Sequence, residues 1–173
     1  MAAVSKNSNY GLRELLTKHI KNLFDAEYRI EIALSKMAKK TTSLKLREIL
    51  EKHCLETQGH EKTLLEVFDL LGEFPERIES DICIALVNDG NIIIEAQGDS
   101  SVIDAGIIVA ARRIEHYEIA SYEAVAEIAS QIGEDKISKL LTRIIVEEGA
   151  ADQKFSHFAH LKIEQQQAHP IIS

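Results

Sequence analysis

At 173 residues the chain is long enough for one domain with a core of its own. Sparse Gly, two Pro and no Trp, set against abundant Leu, Ile, Ala, Glu and Lys, give the composition of an all-helical protein. A formal net charge of −8 excludes a nucleic-acid partner, which needs a basic face, and no stretch has the length to span a bilayer. Met1 to Asn9 is small and polar and carries no secretion signal, so the expected location is the cytoplasm.

The expected organisation is a disordered segment over 1–9, a helical bundle over 10–164 and a frayed tail over 165–173, where Pro170 ends any helix. The first helix runs from about Tyr10 to Lys39 on Leu12, Leu16, Leu23, Ile30, Leu34 and Met37. Its apolar stripe passes through position 27, four after Leu23 and three before Ile30, and that position is Glu27. Thr42 or Ser43 is the expected N-cap of the next helix, Leu44 to Leu71. There the stripe runs Leu46, Ile49, Leu50, turns polar at His53, Glu56 and His60, and recovers at Leu64, Val67 and Leu71. Gly72 suits a C-cap, and Phe74-Pro75 prevents continuation.

Residues 73–100 form a long crossover. Ile82 to Val87 and Ile92 to Ile94 predict two short helices joined by a turn at Asn88-Asp89-Gly90-Asn91. The third long helix, about Val102 to Ile132, has the stripe Ala105, Ile108, Arg112, Glu115, Glu118, Tyr122, Val125 and Ala129. Gly133-Glu134 turns the chain into the fourth, Asp135 to about Glu164, with Ile137, Leu141, Ile144, Glu148, Asp152, Phe155 and Phe158. Segments 26–33 and 114–120 echo one another weakly, as two hairpins each offering a Glu at mid-height would. Cys54 and Cys83 have neither a disulfide pattern nor metal-type spacing, and read as reduced, mostly buried thiols.

Six acids, Glu27, Glu56, Glu115, Glu118, Glu148 and Asp152, thus fall on the apolar stripes of four helices. A buried carboxylate is costly unless it is paired, protonated or bound to a cation. Glu115 and Glu118 share a face one turn apart, and Glu148 and Asp152 another at i and i+4. Without a cation, such pairs repel. A single helical Glu is by default solvated, and that default stands for Glu31, Glu66, Glu123 and Glu147 off the stripes. Six convergent acids instead predict two divalent metal ions, and carboxylate-rich ligation favours Fe or Mn over Zn. His60, four residues after Glu56, or His53, three before it, offers an imidazole ligand or a hydrogen-bonded histidine beside the site. Tyr122, one turn beyond Glu118, reads as core packing or as a hydrogen-bond partner of a ligand. The fold expected from these features is a ferritin-like four-helix bundle with a long helical crossover between its second and third helices.

Ala26-Glu27, His53-x-x-Glu56-Thr57-x-Gly59, Val109-Ala110-Ala111, Glu115-His116-Tyr117-Glu118-Ile119-Ala120-Ser121-Tyr122 and Glu147-Glu148-x-Ala150-x-Asp152 closely resemble the YciF-type family of ferritin-like bacterial stress proteins. The similarity spans about residues 12 to 160. It implies a rubrerythrin-like bundle, usually dimeric, with the six acids as ligands of a dinuclear site. The chain departs from rubrerythrin in lacking Glu-x-x-His on its second and fourth helices and in placing Asp152 where a His is expected; position 60 is often an amide in the family. Three functions follow as expectations: a di-metal redox protein consuming peroxide or oxygen, a metal-binding protein without turnover, or a structural bundle. The apolar residues of the crossover further predict a homodimer rather than a cage.

Overall fold

The computed structural model describes residues 11–168, with side chains to residue 160. Among these the chain forms five helices: α1 (Leu12–Lys40), α2 (Leu44–Leu71), α3 (Asp81–Glu95), α4 (Ser100–Gln131) and α5 (Asp135–Ala168). Expectations placed on residues 1–10 and 169–173 lie outside the described residues. The bundle helix expected to end near Glu164 runs on to Ala168.

Local signals set the long helices. The Ser43 hydroxyl accepts the Leu46 N–H as the N-cap of α2, and Gly72 closes that helix in the left-handed region at φ 69°. Gly133, at φ 82°, turns α4 into α5. α1 pairs with α2 and α4 with α5 through these short connections, and α1 also packs on α4 and α2 on α5. Arg13 ties one end of the bundle together, donating to the Leu71 carbonyl at 2.9 Å and to Glu134 at 2.7 Å. The start of α1, the end of α2 and the α4–α5 turn therefore meet at one end, so α2 and α4 run parallel. The crossover makes this possible.

The crossover differs from the sequence expectation. Instead of two short helices, α3 is one helix capped by Ser80, and Asn88 to Asn91 lie within it. Gly90 is buried; a Cβ there would stand 2.6 Å from Met37 Cε and 3.7 Å from Ala110 Cβ. The glycine serves a close approach of α3 to α1 and α4, not a turn, and Asp89 pairs with Arg113 of α4 at 2.5 Å.

Buried apolar side chains form two clusters. One includes Leu16, Ile20, Leu23, Leu64, Phe68, Val125, Leu141 and Ile144. The other includes Ile30, Leu34, Met37, Leu50, Ile107, Ala111, Ile114 and Phe155. Near the junction of these clusters each long helix contributes buried polar side chains: Glu27, then His53, Thr57 and His60, then Glu115 and Glu118, then Glu148. A polar layer divides the apolar core at mid-height.

Candidate metal centre

The four helices bring six polar side chains of this layer into the interior. Glu27 comes from α1, His53 and His60 from α2, Glu115 and Glu118 from α4, and Glu148 from α5. All six are buried. Donor atoms of His53, Glu115, Glu118 and Glu148 lie within 4.8 Å of one another, as do those of Glu27, His60 and Glu148. Glu148 belongs to both groups, so the two candidate positions adjoin.

Distances place an imidazole at each. His53 Nε2 lies 3.0 Å from Glu115 and 3.4 Å from Glu148, while its Nδ1 faces Glu56 at 3.3 Å. His60 Nδ1 lies 2.9 Å from Glu148 and 3.6 Å from Glu27, while its Nε2 faces Glu147 at 2.9 Å. The inward approaches miss hydrogen-bond geometry. Glu27 Oε2, His53 Nε2, His60 Nδ1 and both carboxylate oxygens of Glu115, Glu118 and Glu148 are buried without a hydrogen-bond partner. Among the described residues, every buried side-chain nitrogen or oxygen left in this way belongs to these six. Native interiors satisfy nearly all such atoms, so the cluster has the chemistry of a cation site.

The electrostatics agree. Burial pushes the Glu115 carboxyl up to about 8, against the opposing influence of His53. Glu118 is driven well above the carboxylate range by burial and by the charges of Glu148, Glu27 and Glu115. Burial also raises Glu27. Burial disfavours charge on His53, yet Glu115, Glu56 and Glu148 lift it to about 10. His60, opposed likewise by burial, is lifted by Glu148 and Glu27 to about 11. Glu148 is lowered because its contacts with His60, Glu115 and His53 outweigh the burial that raises it. In the metal-free protein, protons hold the place a cation would take.

Two expected ligands stand apart, and their placement is corrected. Glu56 lies on the flank of α2, where Thr57 occupies the core position. Its carboxylate faces His53, with Lys154 at 3.4 Å and Lys52 at 3.7 Å. The His53 contact first, against the opposing effect of burial, and then Lys154 hold it down at about 2. Asp152 lies on the flank of α5, where the core passes through Ala151 and Phe155. There it pairs with Arg112, at 2.7 and 3.3 Å, and with His116 at 3.3 Å. Arg112, also expected on the stripe, is the flank residue beside buried Ala111. Both misplacements have one cause: the core face alternates steps of three and four, and a repeated step, of three into Glu56 and of four into Asp152, drifts off it.

The structure supplies one partner that the sequence pattern left out. Glu147, half-exposed beside Glu148, reaches the outer nitrogen of His60. Tyr122 is fully buried and donates its hydroxyl proton to Glu27 Oε1, so it packs and also fixes a carboxylate of the centre. Tyr28 points outward and lies under the Arg77 guanidinium. Cys54 and Cys83 are free thiols.

Comparison with known proteins agrees with this architecture. Protein YciF of Escherichia coli strain K12 is 35% identical over 143 residues, covering 81% of this chain and 85% of YciF. The crystal structure of the E. coli stress protein YciF superimposes with a TM-score of 0.86 at 30% identity, covering 89% of this chain and 98% of that one. YcfI of Rhodopseudomonas palustris gives 0.83 at 31% identity, covering 88% and 98%. Ferritin-like, diiron-carboxylate proteins of Bacillus anthracis strain Ames give 0.68 at 18% identity, covering 86% and 98%, which shows the shared fold alone. The family model described as a domain of unknown function, DUF892, matches residues 11–168. From the first turn of α1 to the last of α5, this ferritin-like bundle belongs to the DUF892 family, and it is a homologue of YciF.

Proposed function

We propose that the polar layer holds two divalent ions of the iron or manganese class and that the loaded centre reacts with peroxide or oxygen in a stress response. The observation that carries this is the set of buried, unpartnered oxygens and nitrogens on Glu27, His53, His60, Glu115, Glu118 and Glu148. His53, Glu115, Glu118 and Glu148 form one ligand set, and Glu27, His60 and Glu148 the other. Mostly carboxylate donors with one imidazole each suit hard ions. The diiron-carboxylate description of the B. anthracis proteins and the stress-protein description of YciF support the same reading. When bound, the ions supply electrons and Lewis acidity. The protein excludes water through the apolar clusters above and below the layer, and Tyr122 holds the Glu27 carboxylate in place.

We place the protein in the cytoplasm as a homodimer. No helix among the described residues is long and apolar enough to cross a membrane.

Elemental analysis of protein purified without chelator should return two Fe or Mn per chain. Saturating metal at a hundredfold excess over its dissociation constant should add about 2.7 kcal/mol of stability, and chelation should remove it. No bound metal together with an unchanged melting temperature would sink the reading. Rapid mixing of the ferrous form with peroxide or oxygen then tests turnover.

A second reading, a metal-binding or structural bundle without turnover, is favoured by the ion-pair distances from His53 and His60 to the interior carboxylates. Two imidazolium groups there compensate much of the buried negative charge. Absence of bound metal would select the structural form of it, and two-metal stoichiometry with no oxidation of the ferrous form by either oxidant would select the metal-binding form.

A further inference from the structure

The two metal positions differ on the side facing away from the ions. His53 turns its outer nitrogen to Glu56, a carboxylate already shared with Lys154 and Lys52. His60 turns its outer nitrogen to Glu147, whose side chain is 54% exposed and has no Lys or Arg partner among the described residues. An exposed helical Glu has no structural need of a buried imidazole 87 residues away in the chain, yet the two approach to 2.9 Å. The donor sets differ too, with four residues at the His53 position and three at the His60 position.

We infer that Glu147 is a positioning residue for the centre and that the Glu27–His60–Glu148 position is the second and weaker of two unequal metal sites. This rests on the dinuclear reading above. With its hydrogen on Nε2, His60 donates to the Glu147 carboxylate. Once an ion takes the place of the Nδ1 proton, that bond would fix the tautomer and ring orientation in which the Nδ1 lone pair faces the site of Glu27 and Glu148. His60 Nδ1 is buried and lacks a hydrogen-bond partner, as a nitrogen reserved for an ion must. A carboxylate behind a ligating histidine also raises the basicity of the imidazole, and losing such a partner costs about 10- to 100-fold in metal affinity. No Lys or Arg among the described residues competes with His60 for this carboxylate. Three donors leave the His60 position more open to solvent-derived or substrate ligands than the four-donor position does. It is therefore the last to fill and the first to empty.

Co2+ titration of the chelator-treated protein, followed by visible absorption and by calorimetry, tests this. The native chain should fill in two phases, the first tight and the second weaker. His60→Leu should abolish the second phase and keep the first. Glu147→Leu should weaken the second phase by about 10- to 100-fold and leave the first within about twofold. Glu147→Gln, whose amide oxygen still accepts the Nε2 proton, should lose less than Glu147→Leu. A structural role for this exposed side chain would leave both phases and the Co2+ spectrum unchanged. The inference is overturned if Glu147→Leu leaves the second phase intact, if it weakens both phases alike, or if His60→Leu still binds two ions. A native chain that binds no Co2+, Fe2+ or Mn2+ overturns the dinuclear reading itself, which separates the two failures.

Discussion

Individual side chains of the polar layer hold protons where the proposed centre would hold cations, and this should make the metal-free protein sensitive to alkali. Glu115 releases its proton near 4.5 when unfolded but near 8 when folded, so the folded state keeps a proton that the unfolded state has lost. Its contribution therefore falls as pH rises from about 4.5 through about 8. His53 and His60, lifted from 6.5 to about 10 and about 11, stabilise the fold below 6.5 and lose that contribution as pH rises through the folded values. Glu56, lowered to about 2, works oppositely, stabilising above 4.5 and failing only in acid. Chelated protein should thus melt at a lower temperature at pH 9 than at pH 6, and a higher melting temperature at pH 9 would contradict the buried-charge account. Substitution separates the layer from the surface. Glu115→Gln should lose metal while the apo bundle stays folded, because a group that is costly to ionise has gone. Exposed Glu123→Ala should change stability by no more than about 0.5 kcal/mol and keep its metal. Equal metal loss in both variants, read by elemental analysis, would mean that the cluster is not the site. Four of the six acids, and both histidines, were legible in the sequence because their helices carry long regular stripes. Glu56 and Asp152 were not, since a half-step of helical phase separates core from flank, and only the positions of Lys154 and Arg112 on neighbouring helices show which side of that boundary each occupies.

At the scale of elements, the long helices follow from period and caps, whereas α3 does not. Asn88-Asp89-Gly90-Asn91 has turn chemistry, and in isolation Gly within a helix costs about 0.5–1 kcal/mol relative to Ala. Tertiary packing overrides that local preference. Gly90 lets α3 settle onto Met37 of α1 and Ala110 of α4, and Gly106 of α4 gives Ile93 similar room, since a Cβ there would stand 2.8 Å from Ile93 Cγ2. Helix-on-helix approach of this kind leaves no trace in a single sequence beyond two glycines that look like breakers. Gly90→Val should therefore destabilise the protein by about 1–3 kcal/mol through overpacking, despite its better helix propensity. Urea unfolding measures this, and a stabilised Gly90→Val would show that α3 packs loosely and that the glycine marks a hinge. The crossover as a whole was legible, because its length and the parallel course of α2 and α4 require each other.

The whole molecule pairs a water-excluding interior with an apolar exterior strip. α3 is rich in Ile, Leu and Val, yet only Cys83 and Gly90 are fully buried in it. Ile82 is 64% exposed on α3, and on α4 Val102 and Val109 are 65% and 48% exposed. Beside them runs a groove of about 750 Å³ lined by Leu86, Ala105, Ile108, Val109, Tyr117 and Ala159. Leu86 and Arg113 also border a neighbouring hollow that reaches Ile82, so the strip is continuous from α3 onto α4. An apolar surface of this kind usually marks an interface, and twofold pairing buries it most simply because the same surface serves both subunits. Light scattering at micromolar concentration should therefore report about twice the chain mass of 19.4 kDa. Val109→Glu should return it to a monomer, because an isologous contact places the new charge in the interface twice, while the buried polar layer stays folded. A native chain that scatters as a monomer would leave the strip exposed in solution and end the pairing argument. A particle of many subunits would require a second interface and would point instead to storage.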